Sequence, residues 1–317
     1  MTQSPLWQAT TLPLTQVEFK QLQQSLEIPF AEQLQSHQLP AELNCELSRL
    51  YLPLAAWLNA RRPETGPLLI GINGSQGSGK STLCGLLKWL LETAFRCRTC
   101  VLSIDDLYLP KAARLRLAAE IHPLLTTRGV PGTHDIPQGM KLFAQLKAAA
   151  ATEIVQIPRF NKASDDRLPA ERWDQVTGPC DLILFEGWCV GATPQREAAL
   201  APPLNPLEAN EDADGQWRRY VNCQLAGPYQ QLFAQLDLLL MLKIPDWELV
   251  YHWRKRQEEQ LAARQSGAGV MDEAALLRFI QHYERLTRHQ LATLPETADL
   301  VLELDRSQRV AALQLKN

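Results

Sequence analysis

The chain has 317 residues, enough for one large α/β domain or for one domain with a small partner. Its formal net charge is −3, without a basic excess or an acidic tail, so nothing in its charge indicates a nucleic-acid partner. No apolar run approaches the length of a membrane span, and we therefore expect no membrane partner.

The cysteines and the first residues favour a cytoplasmic protein. The seven cysteines are scattered, and Cys97 and Cys100 form a lone Cys-x-x-Cys. The sequence has no second ligand pair at zinc-site spacing, so we expect reduced thiols. Neither a signal-peptide pattern nor an Arg-rich transit peptide precedes Arg49, the first arginine. The sequence carries no signal for the oligomeric state.

Residues 1–66 are predicted to form a helical N-terminal extension. They lack glycine until Gly66, and apolar residues recur at helical spacing between Leu47 and Leu58. The segment 62–67 has the composition of a turn and separates the extension from the first strand. We expect the extension to pack on a second unit, residues 67–317.

A glycine-rich segment at 74–81 fits the phosphate-loop pattern Gly-x-x-x-x-Gly-Lys-Ser without a mismatch. An apolar run at 68–72 precedes it and predicts a buried strand, and leucines at helical spacing follow it. This strand–loop–helix context distinguishes a phosphate loop from a plain flexible Gly/Ser stretch. The predicted nucleotide-binding residues are Gly74, Ser75, Gln76, Gly77, Ser78, Gly79, Lys80, Ser81 and Thr82.

The chemistry of this loop explains its composition. Glycines allow a tight backbone whose N–H groups point inward, and the helix N-terminus adds to this anion site. Lys80 would reach the β- and γ-phosphates of a nucleotide, and the Ser81 hydroxyl would bind Mg²⁺.

Further short apolar runs predict the rest of the fold. Continuous apolar character indicates strands that are buried on both faces, and helical stretches lie between most of them. This alternation predicts an α/β fold with a doubly wound, mostly parallel sheet. The predicted strands after the first are 99–104, 154–157, 181–185, 236–242 and 299–304.

Three later segments complete the predicted organisation. Residues 189–216 are rich in proline and acidic residues, which predicts a long surface loop. Two amphipathic helices are expected near the C-terminus, one after Asp246 and one that contains Tyr283. The segment 266–269, Ser-Gly-Ala-Gly, is a predicted hinge between them.

Acidic residues follow two of the predicted strands. The second strand ends in Asp105-Asp106, and the strand at 181–185 is followed by Glu186-Gly187. A carboxylate at the end of a strand beside the phosphate loop can accept a proton from an attacking hydroxyl or help to hold Mg²⁺. Asp106 fits a helix cap or a turn equally well.

The phosphate loop, Asp-Asp-Leu-Tyr at 105–108 and Phe-Glu-Gly-Trp at 185–188 together resemble the P-loop kinases of small metabolites: uridine, pantothenate and phosphoribulo-kinases. The segments 128–135, 158–167 and 250–258 resemble one branch of these, the plant-type D-glycerate 3-kinase. The resemblance covers roughly residues 66–305.

This resemblance implies a P-loop kinase fold, ATP and Mg²⁺ as cofactors, and glycerate as a small-molecule substrate. It implies that Lys80, Asp105, Glu186 and Arg254 are catalytic, with Asp105 as the base. It assigns Ser81, Asp105 and Glu186 to the metal, and it places Arg254 in a basic lid, which we expect at about 246–270.

The substrate residues are expected in the segments 128–135 and 158–167. Glycerate has a carboxylate, which an arginine fork matches, and two hydroxyls, which a histidine or an aspartate can bind. For any single arginine, however, a structural ion pair or a solvated surface position is just as common. The predicted substrate residues are Asp106, Tyr108, Arg128, Thr133, His134, Arg159, Lys162 and Arg167.

Two observations keep alternatives open. Asn161 stands where the family pattern leads us to expect a carboxylate, and the acceptor could instead be a nucleoside, pantothenate or a sugar phosphate. The segment 161–164 also resembles the guanine-reading Asn-Lys-x-Asp of GTPases, but it ends in Ser164, and no convincing Asp-x-x-Gly switch follows the phosphate loop at the usual place. A GTPase or a metallochaperone-type protein is therefore the less favoured alternative.

Overall fold

The computed structural model of the protein describes residues 6–7, 12–264 and 271–316. The hinge predicted at 266–269 and the end of the predicted lid lie outside these residues. Within the described part of the chain, no helix combines the length and the apolarity that crossing a membrane requires.

A six-stranded sheet forms the centre of the fold, with the strand order β10-β9-β8-β1-β7-β2. Neighbouring strands are parallel except β9 and β10, which form an antiparallel pair at one edge. The predicted doubly wound, mostly parallel sheet is confirmed. The strands are β1 Leu68–Gly74, β2 Thr99–Ser103, β3 Ile154–Ile157, β4 Phe160–Asn161, β5 Asp166–Arg167, β6 Asp174–Thr177, β7 Leu182–Gly187, β8 Leu238–Lys243, β9 Leu300–Leu304 and β10 Val310–Leu315.

The two central strands β1 and β7 are buried along their whole length, as their continuous apolar runs predict. The prediction is wrong for β3, which lies outside the central sheet and pairs antiparallel with β6. Its side chains alternate between exposed and buried, and Ile154 is 57% exposed. A run of four residues is too short for its composition to distinguish a half-exposed hairpin strand from a buried one.

Helices flank the sheet and supply the crossovers between its parallel strands. They are α1 Gln16–Ser36, α2 Leu52–Asn59, α3 Lys80–Phe95, α4 Lys111–Glu120, α5 Ile136–Ala148, α6 Glu197–Leu200, α7 Pro206–Glu211, α8 Gln216–Gln224, α9 Gln230–Phe233, α10 Glu248–Arg264 and α11 Glu273–Thr297.

The N-terminal residues contain α1 and α2 and pack on the sheet through α3. Phe30 of α1 is fully buried, and its ring lies 6.0 Å from that of Trp89 on α3. Helix α1 begins at a capping box, in which Thr15 and Glu18 bind each other's backbone N–H groups. The division of the chain into an extension and a kinase domain stays a prediction.

The segment 189–216 is more ordered than the long loop that the sequence led us to expect. It contains α6 and α7, and both Glu208 and Asp212 are buried and paired with arginines. Those partners, Arg285 and Arg218, lie outside the segment. The composition of residues 189–216 alone therefore cannot predict these two ion pairs.

Three chain segments meet at the carboxyl edge of the sheet. The phosphate loop leaves β1, Asp105 follows β2, and Glu186 lies at the end of β7. Strand β7 pairs with both of the others, with Glu186 opposite Ile72 of β1 and opposite Ser103 of β2. The parallel register therefore brings two acidic residues to the mouth of the phosphate loop.

Candidate active site

The phosphate loop adopts a backbone that requires glycine. Gly77 and Gly79 have φ values of +77° and +90°. A Cβ on Gly77 would also lie 2.8 Å from the Cβ of Trp253 on α10, so a side chain at this position would push the loop and the helix apart. Gln308, at the turn between β9 and β10, donates a hydrogen bond of 2.7 Å to the carbonyl of Gly77.

Polar groups of this loop are buried without partners among the described residues. They include the hydroxyls of Ser75 and Ser78 and the side-chain oxygen of Gln76. Lys80 donates to the Ser75 carbonyl at 3.1 Å. Buried polar groups are normally satisfied, so this concentration of unpaired groups beside a lysine fits a site for phosphate oxygens.

Ser81 and Glu186 form the pair expected at a nucleotide-bound Mg²⁺. The Ser81 hydroxyl donates to Oε1 of Glu186 at 3.0 Å, and the glutamate is 7% exposed. Proteins usually hold Mg²⁺ through one or two oxygen ligands together with nucleotide phosphates and water. A hydroxyl and a carboxylate next to a phosphate loop match that donor set.

Asp105 lies in a short 3-10 helix after β2 and is held by two donors. Tyr108 donates to Oδ1 at 2.7 Å, and the Lys162 ammonium donates to Oδ2 at 2.6 Å. Burial raises the pKa of Asp105, but the charge of Lys162 and the two hydrogen bonds outweigh burial and lower the pKa to about 2. The carboxylate is thus ionised at neutral pH.

Asp106 points away from this site and joins a structural ion-pair network. It binds the guanidinium of Arg159 and accepts a hydrogen bond of 3.1 Å from the backbone N–H of Phe160. Arg159 also donates twice to Asp174, at 2.9 and 2.6 Å. Neither Asp106 nor Arg159 lines the pocket at the phosphate loop, so the structure does not bring these two predicted substrate residues to it.

Arg167 and Thr133 also form hydrogen bonds to other groups of the protein. Arg167 binds Asp135 at 3.1 Å and donates to the Tyr108 carbonyl at 3.0 Å. The hydroxyl of Thr133, which is fully buried, donates to the Val130 carbonyl at 2.8 Å. Neither of these predicted substrate residues lines the pocket.

His134 lies one layer behind the pocket. Its ring stacks on Tyr108 at 4.6 Å, and its Nδ1 contacts the hydroxyl of Tyr229 at 2.5 Å. Burial lowers the pKa of His134 to about 4, so the imidazole is neutral at pH 7. Tyr108, on which the His134 ring stacks, donates a hydrogen bond to Asp105.

The pocket at the phosphate loop nevertheless brings together predicted residues from separate parts of the chain. Asp105 and Glu186 supply negative charge there, and four predicted residues supply positive charge. The predicted residues that line the pocket are Gln76, Gly77, Lys80, Ser81, Asp105, Tyr108, Arg128, Lys162, Glu186 and Arg254.

One wall of this pocket was not anticipated as part of a site. It consists of Trp188 after β7 and of Phe279 and Tyr283 on α11. The ring of Phe279 lies 5.9 Å from the guanidinium carbon of Arg254. The spacing of four residues places Phe279 and Tyr283 on one helix face, but sequence spacing cannot show which surface that face covers.

Comparisons with known proteins agree with this geometry. No family model matches the chain. The chain is 29% identical over 279 residues to the chloroplastic D-glycerate 3-kinase of Arabidopsis thaliana, a match that covers 83% of this chain and 58% of the Arabidopsis protein. The solved structure of a D-glycerate 3-kinase from Cryptococcus neoformans var. grubii has a TM-score of 0.69 and 26% identity, and the match covers 84% of this chain and 97% of that chain.

A further relative is an uncharacterized kinase of Schizosaccharomyces pombe. It is 33% identical to this chain over 261 residues, which cover 77% of this chain and 91% of the relative. The chain also has the phosphate loop, Asp105 after β2 and Glu186 at the end of β7. It therefore belongs to the P-loop kinases of small molecules, the family that also contains these D-glycerate 3-kinases.

Proposed function

We propose that the protein transfers the γ-phosphoryl group of ATP to a hydroxyl of D-glycerate and forms 3-phosphoglycerate. The observation that carries the proposal is that residues of the phosphate loop and the ionised Asp105 line the same pocket. The names of the Arabidopsis and Cryptococcus relatives support the choice of acceptor.

In the proposed reaction, the phosphate loop binds the donor phosphates. The acceptor hydroxyl oxygen attacks the γ-phosphorus, and its proton passes to Asp105 as the bond to the leaving ADP oxygen breaks. Lys80 and Arg254 offset the charge on the phosphoryl group in transit. Mg²⁺, when bound, neutralises the donor phosphates, and Ser81 and Glu186 are the residues proposed to hold it.

The position of Lys162 favours a kinase over the GTPase alternative. In a guanine-reading Asn-Lys-x-Asp motif, this lysine would lie at the nucleotide base. Here it binds Asp105 at the mouth of the phosphate loop. A cytoplasmic location stays a prediction.

The experiment is coupled ADP release with ATP or GTP and a panel of acceptors. The panel contains D-glycerate, L-glycerate, glycerol, uridine, pantothenate and ribulose 5-phosphate, and ³¹P NMR locates the new phosphate ester. We expect turnover with ATP and D-glycerate and an ester at the terminal hydroxyl. A Lys80→Met preparation controls for contaminating kinases. No turnover of D-glycerate at millimolar concentration would rule out this acceptor.

A further inference from the structure

Two aromatic residues fix the backbone that carries Arg128. The Tyr283 hydroxyl donates to the carbonyl of Arg128 at 3.0 Å, and Nε1 of Trp188 donates to the carbonyl of Gly129 at 2.8 Å. Their rings lie edge to face, 4.9 Å apart. We call Trp188 and Tyr283 the aromatic clamp.

Gly129 makes the close approach of the clamp possible. Its φ is +134°, and a Cβ at this position would lie only 2.0 Å from the Tyr283 hydroxyl. Its N–H donates to the buried hydroxyl of Thr133 at 3.0 Å. The peptide groups on both sides of Gly129 are therefore held by side chains from two distant parts of the chain, the residue after β7 and helix α11.

The guanidinium of Arg128 is held from its other side by Asp165. Asp165 is in turn bound by the buried Arg114, which pairs with its carboxylate at 2.9 Å and donates to its carbonyl at 2.7 Å. Asp165 contacts Nη1 of Arg128. Among the described residues, Nε and Nη2 of Arg128 donate no hydrogen bond, so these N–H groups remain available at the pocket wall.

We infer that Arg128 binds the carboxylate of the acceptor, and that Trp188 and Tyr283 are positioning residues that hold it at the required place. The inference rests on the proposed function, because it needs an acidic acceptor. Two other predicted carboxylate ligands, Arg159 and Arg167, are engaged elsewhere and do not line the pocket. A fixed guanidinium with free N–H groups matches a carboxylate better than a mobile lysine does.

The test measures KM and kcat for D-glycerate and for ATP in three variants. Arg128→Gln should raise the KM for D-glycerate roughly 10- to 100-fold, the range for a lost hydrogen bond to a charged group. Arg128→Lys should recover part of this loss. Tyr283→Phe should raise the same KM about 5-fold while the KM for ATP and kcat stay unchanged. Arg219→Gln and Tyr51→Phe, which lie outside the pocket, are the matched controls.

The outcomes separate this inference from the proposed function. An unchanged KM for D-glycerate in Arg128→Gln would overturn the inference alone. If the wild-type protein phosphorylates a different hydroxy acid, the choice of D-glycerate is wrong, and the same variants are compared on that acid. If it phosphorylates only acceptors without a carboxylate, or none of the panel, both the inference and the proposed function are wrong.

Discussion

The ammonium nitrogen of Lys162 lies 2.6 Å from Oδ2 of Asp105 and links a hairpin outside the central sheet to the carboxylate beside the phosphate loop. This ion pair opposes the effect of burial on the carboxyl group and brings its pKa to about 2. Such a pKa ensures ionisation but makes the carboxylate a weak base, because general bases work best with a pKa near the working pH.

Lys162→Met should raise the pKa of Asp105, because the charge and the hydrogen bond of Lys162 no longer offset the rise in pKa that burial causes. In the wild type, Asp105 stays ionised throughout the range from pH 4.5 to 8.5, so kcat should show no acid limb from this group there. In Lys162→Met, kcat should fall as the pH approaches 4.5, because burial then holds the pKa of Asp105 higher. The measurement is kcat across this range, with Lys20→Met at an exposed position of α1 as control. A profile in Lys162→Met that is as flat as that of the wild type would show that Lys162 does not set the ionisation of the catalytic group.

Asp105 and Asp106 are adjacent, but we expect opposite consequences of their replacement. Asp105→Asn removes the proposed proton acceptor and should lower kcat by roughly 10²- to 10⁴-fold with little change in the KM for ATP. Asp106→Asn weakens the contact with Arg159 and should lower the free energy of unfolding by about 1–3 kcal/mol while kcat is retained. Steady-state kinetics and urea unfolding of both variants check this contrast. Wild-type kcat in Asp105→Asn would exclude this residue as the base.

The contrast between these two residues shows how far the sequence predicts the site. The phosphate loop is a local motif, and Asp105 and Glu186 follow strands of a parallel sheet, whose carboxyl ends meet at one edge. Their convergence could therefore be predicted. Arg159 could not be classified, because its partners Asp106 and Asp174 are far from it in the sequence.

The pocket wall was missed for a related reason. Phe279 and Tyr283 have the spacing of core residues on an amphipathic helix, and core packing is the commoner role for such residues. Only the tertiary packing of α11 shows that this face covers the pocket. The edge strand β10 and the small β3–β6 sheet likewise depend on pairing between segments, which composition does not encode.

Glu186→Gln tests the proposed metal pair. The amide keeps the shape of the side chain and can still accept from Ser81, but it lacks the charge that attracts Mg²⁺. The Mg²⁺ concentration for half-maximal activity should rise roughly 10- to 100-fold. Glu303→Gln is the control, since Glu303 pairs with Lys243 outside the pocket. An unchanged Mg²⁺ requirement in Glu186→Gln would remove Glu186 from the metal site.

Gln308 holds the phosphate loop from the β9–β10 turn, through the hydrogen bond to the Gly77 carbonyl. Gln308→Ala removes a hydrogen bond of about 1 kcal/mol and should raise the KM for ATP about 5-fold, with the KM for the acceptor unchanged. Gln314→Ala is the control, because that glutamine donates to Oε1 of Glu303 and does not line the pocket. Equal rises in both KM values would indicate a general loss of structure.

Two buried histidines should make the protein less stable as the pH falls from about 6.5 to 4. Burial lowers the pKa of His134 and of His282 to about 4, whereas an unfolded histidine titrates near 6.5. Between these values the unfolded chain binds more protons than the folded chain. For each unit that the pH falls, each histidine therefore lowers the free energy of unfolding by about 1.4 kcal/mol through most of this window.

Urea unfolding at pH 7, 6 and 5 measures this dependence. His282→Gln should remove the contribution of one histidine from the slope of the unfolding free energy against pH. This change in slope does not depend on how the substitution alters stability at pH 7. His37→Gln is the matched control, because His37 is exposed at the end of α1. A slope that is the same in His282→Gln and in the wild type would mean that His282 is protonated as readily in the folded protein as in the unfolded chain.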